Sequence, residues 1–167
     1  VIGIMSFLEF YNITSIFLKN KYILSITNLF FITYIFCFCA IFLILSNYFF
    51  LKMLLFGILT ICIASDIGGF IFGKLFKGPK LTKISPNKTI SGAIGSFCFS
   101  LFLVPFFIEQ LNHLNIYLLV FFTMLICTTS QLGDLFISLL KRKAKVKDTS
   151  DLLPGHGGFL DRIDGIL

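Results

Sequence analysis

Between Gln131 and Asp164 an otherwise oily chain gathers Asp134, Lys141, Arg142, Lys143, Lys145, Lys147, Asp148, Asp151, His156, Gly157, Gly158, Asp161, Arg162 and Asp164. Cations suit phosphate oxygens, carboxylates suit Mg²⁺, and glycines let backbone approach a ligand closely. The combination predicts chemistry on phosphates at a membrane edge. Asp161 and Asp164 are three apart, so they share a face if the chain is helical from Gly158 onward. Such a face beside a basic loop can hold Mg²⁺ against phosphates. Zinc is the poorer choice, since one His with carboxylates and no usable thiol is a weak structural set. Taken alone, His156 would be an incidental histidine.

A second polar block spans residues 65–96 and holds Asp66, Lys74, Ser85, Pro86, Asn87, Lys88 and Thr89. Pro86 starts a turn, and Ser85 or Thr89 can cap the helix that follows. A helix N-terminus beside Lys88 attracts anions. The plainer alternative is a cap with a snorkelling lysine. The lysines from Lys74 to Lys88 likewise have a plain reading, as positive-inside charge drawn to anionic lipid. Asp66 and Asp134 each lie near the end of an apolar span. Acids at membrane depth are costly and call for a function, whereas interfacial placement would remove the cost.

These residues need elements to position them, and composition says which. Of 167 residues 57% are hydrophobic and 13% charged, with a formal net charge of +6 and a mean hydropathy of +0.96. A soluble domain of this size could not bury so much apolar surface. The reading is an all-α, polytopic integral membrane protein with about four transmembrane spans plus broken or interfacial helices. The spans run from about Ile23 to Leu45, Phe49 to Phe72, Ile90 to Ile108 and Ile116 to Leu140. Ser65, Asp66, Gly68 and Gly69 are expected to interrupt the second, and Thr128 to Asp134 the fourth. The first 17 residues, apolar except for Glu9, read as the tail of an earlier span or an interfacial helix. Three basic clusters (Lys19 and Lys21; Lys74 to Lys88; Lys141 to Lys147) are separated by even numbers of crossings, so all should be cytoplasmic. The five cysteines lie in apolar stretches without a CxxC pair and read as small buried hydrophobes. No repeat of the kind a transporter would show is present. The chain opens on Val1 and stops at Leu167 in a fresh apolar turn, so it reads as one domain, 1–167, shortened at both ends.

At these motifs the chain resembles the phosphatidate cytidylyltransferase (CDP-diacylglycerol synthase) family. The family's C-terminal pattern corresponds to Ser138, Lys141-Arg142, Lys147-Asp148, Pro154-Gly155-His156-Gly157-Gly158 and Asp161-Arg162-Ile163-Asp164. Gly133-Asp134-Leu135, Asp66, Phe72-Gly73-Lys74 and Ser85-Pro86-Asn87-Lys88-Thr89 also match. So many fixed positions at fixed spacing are far more specific than one short motif. The match covers roughly residues 50–167 by motif and the remainder by hydropathy. Ser91 stands where the family has Glu or Gln, Ser96 replaces a common Gly, and Gly165 a common Ser.

The resemblance implies transfer of CMP from CTP to phosphatidate, giving CDP-diacylglycerol and pyrophosphate. It implies Mg²⁺ on Asp134 and Asp161, with Asp164 as a further ligand and a second cation left open. Lys141, Arg142, Lys147 and Arg162 would neutralise the triphosphate, with Asp148 and His156 also in the catalytic set. Ser85, Pro86, Lys88 and Thr89 would grip a substrate phosphate, joined by Asp66, Lys74, Ser138, Gly157 and Gly158. Expected partners are CTP, phosphatidate and membrane lipid, not nucleic acid; a homodimer is left open. The expected location is a bacterial inner membrane with the site on its cytoplasmic face. Alternatives are a CTP-dependent enzyme on another lipid phosphate, such as an isoprenoid-ether analogue, a lipid kinase, or a non-catalytic transporter.

Overall fold

The computed structural model describes residues 2–82, 84–86, 88–108, 115–150, 157–163 and 165. The described residues form seven helices in chain order: α1 (Ile2–Phe17), α2 (Lys21–Asn47), α3 (Phe49–Phe76), α4 (Ile90–Phe102), α5 (Val104–Ile108), α6 (Ile116–Ala144) and α7 (Leu160–Ile163). Among the described residues there is no strand, only an isolated antiparallel bridge between Lys80 and Thr89. Among the described residues, four segments are long and apolar enough to cross a membrane: Lys21–Asn47, Leu51–Phe76, Ile90–Phe107 and Ile116–Ala144. At 1.5 Å per residue, Lys21–Asn47, Leu51–Phe76 and Ile116–Ala144 exceed the roughly 30 Å hydrocarbon core and leave their ends at the polar interface, while Ile90–Phe107 about matches it. The protein is thus all-α and polytopic, as the hydropathy predicts. Tyr22, Phe30, Phe36 and Leu43 of α2 point outward, which costs nothing in an apolar surround.

The interruptions fall elsewhere than expected. Helix α3 runs unbroken through Gly68 and Gly69, and α6 through Thr128 to Asp134. Their polar residues find partners without opening the helix: Thr129 Oγ1 donates to the Leu125 and Ile126 carbonyls, and Ser96 Oγ of α4 donates to the Ser65 carbonyl at 2.7 Å. The break is in the third span, at Leu103 between α4 and α5. Pro105 lacks an N–H and cannot continue the α4 ladder, but its fixed φ suits the first turn of a new helix. Leu103 N accordingly bonds Ser100 O at 3.2 Å in a tightened last turn.

Helices α3 and α4 approach closely because small residues line their contact, as is common between helices in membranes. A Cβ at Gly95 would lie 2.3 Å from Cβ of Phe72, and one at Gly68 only 2.6 Å from the Gly95 carbonyl oxygen. This contact places Gly73 of α3 opposite the start of α4 and Asp66 near the level of Ser96. On the other side, α1 presents Ser6, Glu9, Phe10, Ile13 and Thr14 inward, at helical spacing, while Ile4, Leu8 and Ile16 face out. With acid and hydroxyls inward and aliphatics outward, α1 suits an apolar surround. It packs through Phe10, stacked on Phe31 of α2 at 3.7 Å between centroids. Ile137, Leu140, Ala144 and Leu160 complete that cluster, tying α1 and α2 to α6 and α7. Of the five cysteines, Cys62 and Cys127 are buried as expected; Cys37, Cys39 and Cys98 are exposed on outer helix faces.

Candidate active site

The loop between α3 and α4 folds back over the start of α4. Lys77 closes α3 in the left-handed region (φ 43°), bonding the Gly73 carbonyl. Leu81 N donates to Lys88 O at 2.8 Å and Ile90 N to Pro79 O at 3.0 Å. Within the segment that the first of these bonds encloses, the Ser85-Pro86 turn is closed by Lys88 N to Ser85 O at 3.2 Å. Of the two expected caps, Thr89 serves: its hydroxyl accepts the Gly92 N–H at 3.1 Å and lies 3.0 Å from Ser91 Oγ. Ser91, one of the positions where the chain departs from the family pattern, also accepts from Gly78 N.

Locked in this way, the turn aims Lys88 at α6. Lys88 Nζ and Asp134 Oδ2 are 2.5 Å apart, with side chains 25% and 33% exposed. The pair lies on a cavity of about 360 Å³ whose lining includes Ser65, Asp66, Ser85, Thr89 and Gln131. Arg142 Nε adds a second tie, donating to the Ile84 carbonyl at 3.3 Å. The two polar sequence blocks therefore form one site. Ser138, one turn beyond Asp134, donates to its Oδ1 at 3.4 Å. Near the cavity, Ser130 Oγ is buried. A Cβ at Gly165 would come within 3.2 Å of that oxygen and 3.5 Å of Asp66 Oδ2, so the chain returns here after α7.

Asp161 is held in a second network, two turns further along α6. Its Oδ1 takes Lys141 Nζ at 2.6 Å. Its Oδ2 accepts Thr149 N at 2.8 Å and Gly158 N at 3.1 Å, with Thr149 Oγ1 at 3.0 Å. Burial alone would push this carboxyl up, but the Lys141 ammonium and the two backbone N–H groups outweigh it and hold Asp161 below the usual carboxylate range. Gly157 adopts φ +79°, which glycine takes at no steric cost. At Gly158 a Cβ would sit 1.8 Å from Thr149 Oγ1, so glycine is required there by the protein's own packing.

The structure thus brings together Asp66, Ser85, Lys88, Thr89 and Asp134 around one cavity, and Lys141 with Asp161 beside it. Pro86, Lys147 and Asp148 are exposed. Lys74 lies over the Phe70 ring, 5.7 Å from its centroid. Arg162 rides on α7 next to Asp161. His156 and Asp164 lie outside the described residues. Among the described ones, no group of three or more His, Cys, Asp or Glu side chains assembles. The oxygen-rich donor set still suits a hard cation such as Mg²⁺. Among the described residues, Asp134 Oδ1 is engaged by the long Ser138 bond alone and keeps acceptor capacity. Asp161 could take a cation only through Oδ1, in exchange for the Lys141 ammonium.

One residue central to this geometry was not legible as such. Glu9, 1% exposed, accepts from Thr149, Ser150, Phe159 and Leu160. Its one sequence signal is an acid in an apolar stretch, which by itself says nothing of partners 140 residues away.

Residues 2–167 match the sequence profile described as the cytidylyltransferase family. Curated relatives named phosphatidate cytidylyltransferase include one from Helicobacter pylori, 40% identical over 110 residues, covering 66% of this chain and 41% of the relative. One from Staphylococcus epidermidis is 43% identical over 120 residues, covering 70% and 45%. One from Staphylococcus haemolyticus is 47% identical over 108 residues, covering 62% and 40%. The chain spans less than half the length of these relatives.

Proposed function

The chain belongs to the cytidylyltransferase family, and from that premise we propose that it carries a site where CMP passes from CTP to phosphatidate, giving CDP-diacylglycerol and pyrophosphate. The phosphomonoester oxygen of the lipid attacks the α-phosphorus of CTP, the bond from that phosphorus to the bridging oxygen breaks, and pyrophosphate leaves with that oxygen. The nucleophile is already an anion, so positioning and charge neutralisation carry most of the rate and no strong base is needed. The observation that supports this most is the Lys88–Asp134 pair at the cavity, where an anion-binding turn and an acid meet.

Lys88, with Ser85 on the same turn, binds a substrate phosphate. Lys141, Arg142, Lys147 and Arg162 offset triphosphate charge from the end of α6 and from α7. Asp134 and Asp161 would hold Mg²⁺, with Asp164 as a further ligand. When bound, that ion neutralises charge on the triphosphate. The basic clusters, read by the positive-inside rule, support a site on the cytoplasmic face, where CTP is at hand while the acyl tails stay in lipid.

Labelled CTP and phosphatidate in neutral detergent micelles, with the chain in its full-length context, test the reading. CDP-diacylglycerol and pyrophosphate should appear in equal amounts, only with Mg²⁺. Transfer to diacylglycerol instead of phosphatidate would replace this reading with a lipid kinase, and absence of turnover with either would reject it.

A further inference from the structure

Asp161 is presented by a segment with little secondary structure of its own, since α7 is a single turn. What holds the segment is an acid from the far end of the chain. Glu9 Oε1 accepts Ser150 Oγ at 2.6 Å and Phe159 N at 2.8 Å. Its Oε2 accepts Thr149 Oγ1 at 2.9 Å and Leu160 N at 2.7 Å. One carboxylate therefore grips both sides of the terminal loop, the stretch leaving α6 and the stretch entering α7. Such charge-assisted bonds are about twice as strong as neutral ones.

Thr149 joins this grip to Asp161. Its hydroxyl lies within hydrogen-bonding distance of Glu9 Oε2 and of Asp161 Oδ2, yet it has one proton to give. Asp161 Oδ2 already receives two backbone N–H groups, so the hydroxyl proton is better used on Glu9. Glu9 then fixes the Thr149 hydroxyl, and the Thr149 N–H fixes Asp161. Glu9 itself does not line the Asp66–Asp134 cavity.

We propose that Glu9 is a positioning residue: by bridging Thr149-Ser150 and Phe159-Leu160, it holds Asp161 in register with Lys141, so that α1 is part of the working site. A near-isosteric amide cannot do this. In Glu9→Gln one oxygen becomes an NH₂ that faces a backbone N–H, which loses its acceptor, and a misplacement of about 1 Å at such a site can cost about 10²-fold in rate. The catalytic consequence rests on the cytidylyltransferase reading above; the structural one does not.

The test combines amide hydrogen exchange with kinetics on the full-length protein in detergent. Exchange of Phe159 and Leu160, whose acceptor is Glu9, should accelerate in Glu9→Gln by about 10²-fold, as expected for local opening. Thr149 and Gly158, whose acceptor is Asp161, should accelerate with them; that coupling distinguishes positioning from a local contact. In the kinetics, kcat should fall about 10²-fold with a smaller change in KM for CTP, because Lys141 and Arg142 stay on α6 while Asp161 leaves its register. Phe10→Ala removes the stacked ring next to Glu9 and supplies the matched structural control: it should lower thermal stability and leave kcat near normal. Ser150→Ala, which deletes one donor, should give a smaller version of the Glu9→Gln pattern if the amide variant does not fold. Unchanged exchange at Thr149 and Gly158 would overturn the proposal. So would normal kcat with those amides open, or an equal loss of kcat in Phe10→Ala. Wild-type protein that turns over no CTP would reject the catalytic reading, and Glu9 is then judged on the four amides alone.

Discussion

Lys88→Ala separates a substrate-binding turn from a basic surface. Lys88 Nζ lies 2.5 Å from Asp134 Oδ2, with both side chains a quarter to a third exposed. At an effective dielectric of about 20, unit charges 4 Å apart attract by about 4 kcal/mol, a gross value that desolvation and partial exposure cut sharply. A hydrogen bond between charged groups nets about 1.5–3 kcal/mol. With this exposure, a Lys88→Ala/Asp134→Asn double-mutant cycle on stability should give a coupling of about 1–2 kcal/mol. The effect on turnover should be larger. Removing one preorganised charge from a reacting phosphate costs about 3–4 kcal/mol, roughly 10²–10³ in kcat. Lys80 offers the comparison. It is exposed and joins the same loop only through the backbone bridge to Thr89, so in neutral micelles Lys80→Ala should change turnover less than about threefold. In anionic micelles it should lose only the surface attraction of about 1 kcal/mol per lysine. Lys88→Arg should also be impaired, because a planar fork does not replace a point charge in a tight turn. CDP-diacylglycerol formation measured for the three variants in both micelle types decides it. Equal and mild losses at Lys80 and Lys88 would show that the lysines are membrane-surface charge and that the turn binds no substrate.

Three other outcomes follow from the same geometry. Gly158→Ala should lower stability by about 1–3 kcal/mol and remove turnover, since the new Cβ would overlap Thr149 Oγ1 and crowd Glu9 Oε2; a thermal melt unchanged from wild type would contradict the tight fit. Asp161 is held below the usual carboxylate range, so its stabilisation is complete above the unfolded carboxylate pKa of about 4 and is lost as pH falls through the folded value. Asp161→Asn should therefore be less stable than wild type at neutral pH and show a shallower loss of stability on acidification, read from thermal melts across the acid range. In a cysteine-free background, Lys80→Cys and Lys143→Cys should both be labelled by a membrane-impermeant thiol reagent from the cytoplasmic side and Asn112→Cys from the opposite side; labelling of 80 and 143 from different sides would break the four-span topology.

Hydropathy and motif spacing were enough to read the all-α membrane architecture, the four spans to within a few residues, and the two polar blocks that share a site. The reason is physical: spans must be long runs of apolar residues because the bilayer core satisfies no backbone group. Phosphate chemistry, in turn, needs its cations, acids and glycines at workable spacings. The helix breaks were not legible. Glycine and hydroxyl residues weaken a helix in isolation, yet in α3 and α6 they are contacts that let helices meet closely, and the break came at Leu103, two residues before Pro105. Which hydroxyl caps α4 was also settled by the fold, which gives Thr89 to Gly92 N. Only the tertiary structure paired Lys88 with Asp134 and Lys141 with Asp161. It alone set Glu9 of α1 under the terminal loop, because a carboxylate's partners are fixed by where distant backbone N–H and hydroxyl groups come to lie, and no local pattern encodes that distance.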